Sequence, residues 1–273
     1  VIPNPSITVS SPTPVICAGD TYTYTNNGAS SYTWSSSTPG FTTYNNGGVA
    51  VSNPSINSVF SVFGGSLGCN SASKTSTITV NPLPVFSITP GTPTICLNNK
   101  ITLSINGNAS SYTWSPYVGL NSNIGATVSA FPTSLQTYTA LGSLNSCTNT
   151  ALITVSVLSL PSPTAIALKP ELCLNELITL QGFGGETYRW DGPVNLMYAG
   201  QTVTFVARSR AFSGTYTLTV TDVYGCMASN QVGVKINPLP NADLSISKQN
   251  GCVPFSSKFS MYTQSANDSN IVA

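Results

Sequence analysis

The sequence has no histidine and very little charge. Nine Lys and Arg stand against eight Asp and Glu in 273 residues, a charged fraction of 6% and a formal net charge of +1. An average soluble domain is about 25% charged. Without histidine there is no Ser-His-Asp triad, no Cys-His dyad and no imidazole ligand for a metal. Nine scattered cations make no basic stripe, so a nucleic-acid partner is not expected. No apolar run approaches the about 20 residues that span a bilayer, so no membrane span is expected. Disordered chains pair low hydrophobicity with high net charge, whereas this one is 41% hydrophobic and nearly neutral.

What is present is repetition. Tyr-x-Trp occurs three times, at Tyr32/Trp34, Tyr112/Trp114 and Tyr188/Trp190, and uses every tryptophan. Cysteines flank each copy: Cys17 and Cys69, Cys96 and Cys147, Cys173 and Cys226. Proline joints recur in step, with Pro82 and Pro84, then Pro161, then Pro238 and Pro240. The period is about 78 residues, too long for a solenoid and suited to a string of small domains. A seventh cysteine, Cys252, stands where a fourth copy places its first. The expected domains are 1–82, 83–160 and 161–238, followed by 239–273 as the truncated start of a fourth, PKD-like repeat. The chain therefore reads as a segment of a longer protein.

Within each copy, runs such as Thr21-Tyr22-Thr23-Tyr24-Thr25 and Thr215-Tyr216-Thr217-Leu218-Thr219 alternate with period two. β-Branched and aromatic residues fill these runs, and Gly, Asn and Pro punctuate them. No helical stripe is sustained. About seven short strands per copy is the texture of an immunoglobulin-like (Ig-like) sandwich. In the third copy strands are expected near 165–168, 177–180, 188–190, 202–206, 215–221 and 231–236. Asp222-Val223-Tyr224-Gly225 supplies the last hairpin turn. The first copy lacks that Asp-x-x-Gly-Cys form and has Gly64-Gly65-Ser66-Leu67-Gly68-Cys69 instead.

Residues i and i+2 of a strand share a face, so each Tyr-x-Trp pair is expected in the core; an exposed platform for a sugar ring is the functional alternative. Paired cysteines in domains under about 80 residues read as disulfides made in an oxidising compartment. Zinc needs closely spaced pairs and a catalytic thiol needs a base, and neither is present. Connectivity stays open. Pairing inside each copy is simplest. Cys17–Cys147 with Cys96–Cys226 is the alternative, because the two cysteines of one copy lie near opposite ends of an Ig domain. No acid recurs in all three copies; Glu186 and Asp191 are the one pair to weigh for a glycosidase. No cofactor, metal or catalytic residue is expected. The prolines read as semi-rigid linkers.

The Cys-flanked Tyr-x-Trp unit, the Tyr-Thr-x-x-x-Thr-Asp-x-x-Gly-Cys segment and the Asn-Pro-Leu-Pro joints resemble the PKD-like and Ig-like repeats of very large Bacteroidota surface proteins. These include gliding-motility adhesins exported by the type IX secretion system. Asn250-Gly251-Cys252-Val253-Pro254-Phe255 resembles the opening of a PKD repeat. The resemblance implies an all-β array of non-catalytic stalk modules in an extracellular adhesin or filament at the bacterial cell surface. Two alternatives follow: carbohydrate-binding or accessory modules of a secreted enzyme, and a self-assembling filament or sheath subunit. Partners in view are neighbouring repeats, secretion machinery, sister chains and surface polysaccharide. Charge is unevenly shared. Residues 1–84 hold only Asp20 and Lys74, and residues 85–161 only Lys100. Such neutral modules have little repulsion to keep neighbours away.

Overall fold

The computed structural model describes residues 3–10, 13–247 and 250–264. It is all-β apart from two single 3-10 turns, and it divides into two compact units, Val1–Val157 and Leu158–Ala273.

The first unit holds two sandwiches. In the first, the strands are β1 (Thr8–Val9), β2 (Val15–Cys17), β3 (Tyr22–Asn27), β4 (Ser31–Ser36), β5 (Phe41–Tyr44), β6 (Val49–Ser52), β7 (Ser58–Ser66), β8 (Cys69–Asn70) and β9 (Lys74–Asn81). They form sheets ordered β1-β3-β6-β5 and β2-β9-β7-β4, with β8 hairpinned onto β7. In the second, β10 (Phe86–Thr89), β11 (Thr94–Cys96), β12 (Ile101–Gly107), β13 (Ser111–Ser115), β14 (Thr127–Ala130), β15 (Gln136–Leu144) and β16 (Cys147–Leu158) form sheets β10-β12-β14 and β11-β16-β15-β13.

The second unit holds a third sandwich. Its strands are β17 (Thr164–Ala167), β18 (Glu171–Cys173), β19 (Leu177–Phe183), β20 (Thr187–Asp191), β21 (Met197–Ala199), β22 (Thr202–Val206), β23 (Gly214–Thr221) and β24 (Met227–Asn237). The sheets are β17-β19-β22 and β18-β24-β23-β20-β21. A hairpin of β25 (Asn241–Ile246) and β26 (Phe259–Gln264) follows.

The alternation read from sequence sets these faces. Along β23 Tyr216, Leu218 and Val220 are buried while the threonines between them look outward. Each sandwich buries its own apolar cluster, around Tyr24 and Phe60, around Leu103, Trp114 and Tyr138, and around Trp190, Tyr216 and Leu218. The three-residue strand β18 runs parallel to β24 with Cys173 opposite Asn237, and β2 runs parallel to β9 with Cys17 opposite Asn81. Neither strand was expected from the sequence, and nor was β21.

One glycine position recurs because the backbone demands it. At Gly28 and Gly184, both at positive φ, an added Cβ would lie 2.0 Å from the Ser6 carbonyl oxygen and 2.1 Å from that of Ser162. The chain entering the sandwich passes so close over this turn that only glycine fits.

Candidate functional site: cysteines and aromatic anchors

Cys17 is bonded to Cys147, with Cα atoms 5.5 Å apart. The bond joins the first sandwich to the second. Its geometry is set by three local features. The parallel β2–β9 pairing brings Cys17 level with Asn81, the last residue of β9, and the Ala18 N–H donates to the Asn81 carbonyl at 2.9 Å. Asp20 Oδ2 accepts from the Cys17 N–H at 3.2 Å, closing the turn after the cysteine. On the other side, Asn145 and Ser146 sit at φ 48° and 66° and turn β15 into β16, delivering Cys147 at its start. Two consecutive positive-φ residues are the signature of a tight hairpin whose twist matches the strands. Asn81 Nδ2 then donates to the Asn145 carbonyl at 3.1 Å, so one asparagine serves both sides of the joint. Cys17, Asp20, Asn81, Asn145 and Cys147 line an open, polar cleft of about 590 Å³.

Pairing inside each copy is overturned. Cys17 is taken by Cys147. In the third sandwich Cys173 lies level with Asn237, eleven residues along from Cys226. At about 3.3 Å per residue that is roughly 36 Å, whereas a disulfide needs Cα atoms within about 7 Å. Cys96 and Cys226 are each disulfide-bonded. Cys173, half-buried, and Cys252, exposed, are free thiols. Cys69 opens β8 and is half-buried. The turn before it, unsettled by the sequence, is a two-residue turn of Leu67 and Gly68 at φ 51° and 76°.

The aromatic pairs divide their labour. Trp114 and Trp190 are buried at 3% and 0% exposure, while Trp34 is half-buried. Trp34 Nε1 donates to the Gly47 carbonyl at 2.7 Å and Trp114 Nε1 to the Gly125 carbonyl at 3.0 Å. Trp190 Nε1 has no partner. The tyrosines do more than fill space. The Tyr32 and Tyr112 hydroxyls accept from the N–H groups of Ala29 and Ala109, and the Tyr188 hydroxyl donates to the Gly185 carbonyl at 2.6 Å. Each ties its strand to the turn three residues before it. Tyr32 and Tyr188 are half-buried, whereas Tyr112 is buried in the core as its strand face requires. Sequence reading missed this role, although the fixed three-residue offset from Ala or Gly was visible.

A second set of tyrosines anchors the later strands. Tyr216 donates to the Phe212 carbonyl at 2.9 Å and Tyr138 to the Val118 carbonyl at 2.9 Å. Phe60 fills the core of the first sandwich without a hydroxyl. Burial pushes the Tyr216 phenol up to about 12, with Tyr198 adding to the effect; burial raises Tyr24 and Tyr138 as well. An unfolded tyrosine ionises near pH 10. The protonated form is therefore favoured by folding, and this stability is intact below pH 10 and lost as pH rises towards 12. Thermal midpoints measured across that window should fall steeply, and Tyr216→Phe should flatten the fall for the third sandwich.

Asp191 is bound to Arg189 at 2.8 Å on the surface, and Glu186 is exposed. The Cys173 N–H, and then Lys169, hold the Glu176 carboxyl below its usual range. Among the described residues, no group of three or more His, Cys, Asp and Glu could hold a metal, and no helix is long and apolar enough to cross a membrane.

No protein-family model and no curated protein matches the sequence. Solved structures of tandem Ig proteins do match. A three-domain I-band fragment of titin is 12% identical over 87% of this chain and 100% of its own, with a TM-score of 0.41. The N-terminal eight Ig domains of Down Syndrome Cell Adhesion Molecule are 11% identical over 89% of this chain and 38% of theirs, at 0.40. The insect immune protein hemolin is 9% identical over 88% and 79%, at 0.30. Likenesses of this size carry no argument about function. The sheet orders themselves establish the conclusion: the chain is a tandem array of Ig-like β-sandwiches, disulfide-bonded as extracellular domains are.

Proposed function

We propose that the chain is a stretch of non-catalytic stalk in a long extracellular adhesin or surface filament, whose modules are stapled to their neighbours to resist force and proteolysis. Residues 1–82, 83–160 and 161–238 are its modules. The Cys17–Cys147 bond is the observation that carries this reading. A cross-link within a domain protects that domain, whereas one that leaves the first module and enters the second fixes their spacing. Cys96 and Cys226 are each disulfide-bonded as well. Their separation in sequence is 130 residues, the separation of Cys17 and Cys147, and each occupies the matching place in its copy. The resemblance of the repeats to those of Bacteroidota surface proteins supports a stalk at the bacterial cell surface, delivered by type IX secretion. Neighbouring modules are its first partners.

Proteolysis tests the reading. Cleavage of a transiently opened chain follows the population of the open form. The Cys17→Ala/Cys147→Ala double variant is expected to be cut at least about tenfold faster than the parent at the 82–84 joint. Equal rates would remove the staple from the account.

A further inference from the structure

We propose that Cys173 is the half-site of another inter-module disulfide, and that its partner is the cysteine opening the last strand of an Ig-like module that follows it. This rests on the stapled-module reading. The first and third sandwiches present their first cysteine in the same way. Cys17 ends β2, level with Asn81 of β9; Cys173 ends β18, level with Asn237 of β24. The next N–H repeats the same bond, Ala18 to the Asn81 carbonyl and Leu174 to the Asn237 carbonyl, each at 2.9 Å. An acid three residues on accepts from the cysteine N–H in both, Asp20 at 3.2 Å and Glu176 at 2.8 Å. Asn-Pro-Leu-Pro follows in both, at 81–84 and 237–240. In the first sandwich the sulfur presented in this way is bonded to the module that comes next. Cys96, which ends β11 in the second, is also disulfide-bonded. Two of three equivalent sulfurs are thus bonded, and the third is a half-buried free thiol. Cys226 is out of its reach, as shown above.

Bond formation needs a two-electron oxidant, and a small disulfide such as glutathione disulfide supplies it. The Cys173 thiolate attacks one sulfur and expels a glutathione thiolate. The partner thiolate then attacks the Cys173 sulfur of the mixed disulfide and expels the second. Two protein thiols lose two protons and two electrons, and one glutathione disulfide becomes two thiols.

The test has two arms. In the chain as it stands, native maleimide labelling followed by non-reducing peptide mapping should find Cys173 labelled; finding it bonded to Cys226 or Cys252 overturns the proposal. In the second arm, a copy of residues 85–160, with its Cys96 equivalent changed to Ala, replaces 241–273 and the protein is oxidised with glutathione disulfide. Labelling of Cys173 should then be lost, and its peptide should appear joined to that of the appended strand-opening cysteine. A parallel chain carrying an appended copy of 162–236, its Cys173 equivalent changed to Ala, guards against misfolding. Cys173 alkylated in both chains, with the Cys17–Cys147 peptide intact, overturns the proposal and spares the staple. Loss of the Cys17–Cys147 peptide as well overturns both.

Discussion

Removal of the Cys17–Cys147 bond in the Cys17→Ala/Cys147→Ala variant is expected to destabilise the first unit by about 5 kcal/mol. The figure follows from the size of the closed loop. A cross-link restricts the unfolded chain by an entropy that grows with loop length, and a separation of 130 residues gives about 5 kcal/mol at 25 °C. Ala replaces both residues because Cys147 is 1% exposed and a hydroxyl there would be buried. At a slope of about 2 kcal/mol/M, the urea midpoint of the first unit falls by about 2 M or more. The third sandwich, with its own core, keeps its midpoint. A shift shared equally by both units would mean that the bond does not act where the structure puts it.

Trp190→Ala is expected to cost the third sandwich 3–5 kcal/mol, the usual range for emptying a buried tryptophan site. Trp190 is 0% exposed and packs among Ile178, Leu180, Tyr216 and Leu218. A module of under about 80 residues holds only about 4–12 kcal/mol in total, at roughly 0.05–0.15 kcal/mol per residue, so this one change brings it close to unfolding. Trp190→Phe separates packing from polarity. The indole N–H has no partner, so Phe discards a buried orphan donor while keeping an aromatic body, and the loss should be less than half that of Ala. At Trp34 the balance differs, because the ring is half-buried and its N–H is bonded to Gly47. There Ala should cost less than at Trp190. Denaturant titrations of the four proteins give the order directly.

Much of the fold was legible because strand faces leave a period-two record. In β23 the sequence Thr215-Tyr216-Thr217-Leu218-Thr219-Val220 announces its own buried side, and residues 202–206 were placed to the residue. Strands of three residues leave no such record. β18 and β21 carry too few positions for alternation, and their identity comes from the partner strand, not from local preference. That gap is why the cysteine pairing could not be decided from sequence. The distance between Cys173 and Cys226 becomes fixed only when β18 is seen to run parallel to β24 and to meet its far end. Strand parity puts the tyrosine of Tyr-x-Trp in the core, where Tyr112 lies at 8% exposure, while Tyr32 and Tyr188 are half-buried. All three hydroxyls also reach back to the turn, a contact that depends on how tightly the corner closes. The neutrality of residues 1–161 is plain in the composition, and among the described residues the three ion pairs all lie in residues 169–235.

Pulling a single molecule from its two ends tests the staple most directly. In a Cys96→Ala/Cys226→Ala chain, force reaching Cys17 passes through the sulfur bridge to Cys147 and bypasses everything between. Those 130 residues cannot extend until the bond is reduced, and at about 3.5 Å per residue reductant should add about 450 Å to the fully stretched length. A bond within the first module, Cys17 to Cys69, would enclose 52 residues and add only about 180 Å. A gain near 450 Å is the expected result; a gain near 180 Å, or none, contradicts an array whose modules are fastened to one another.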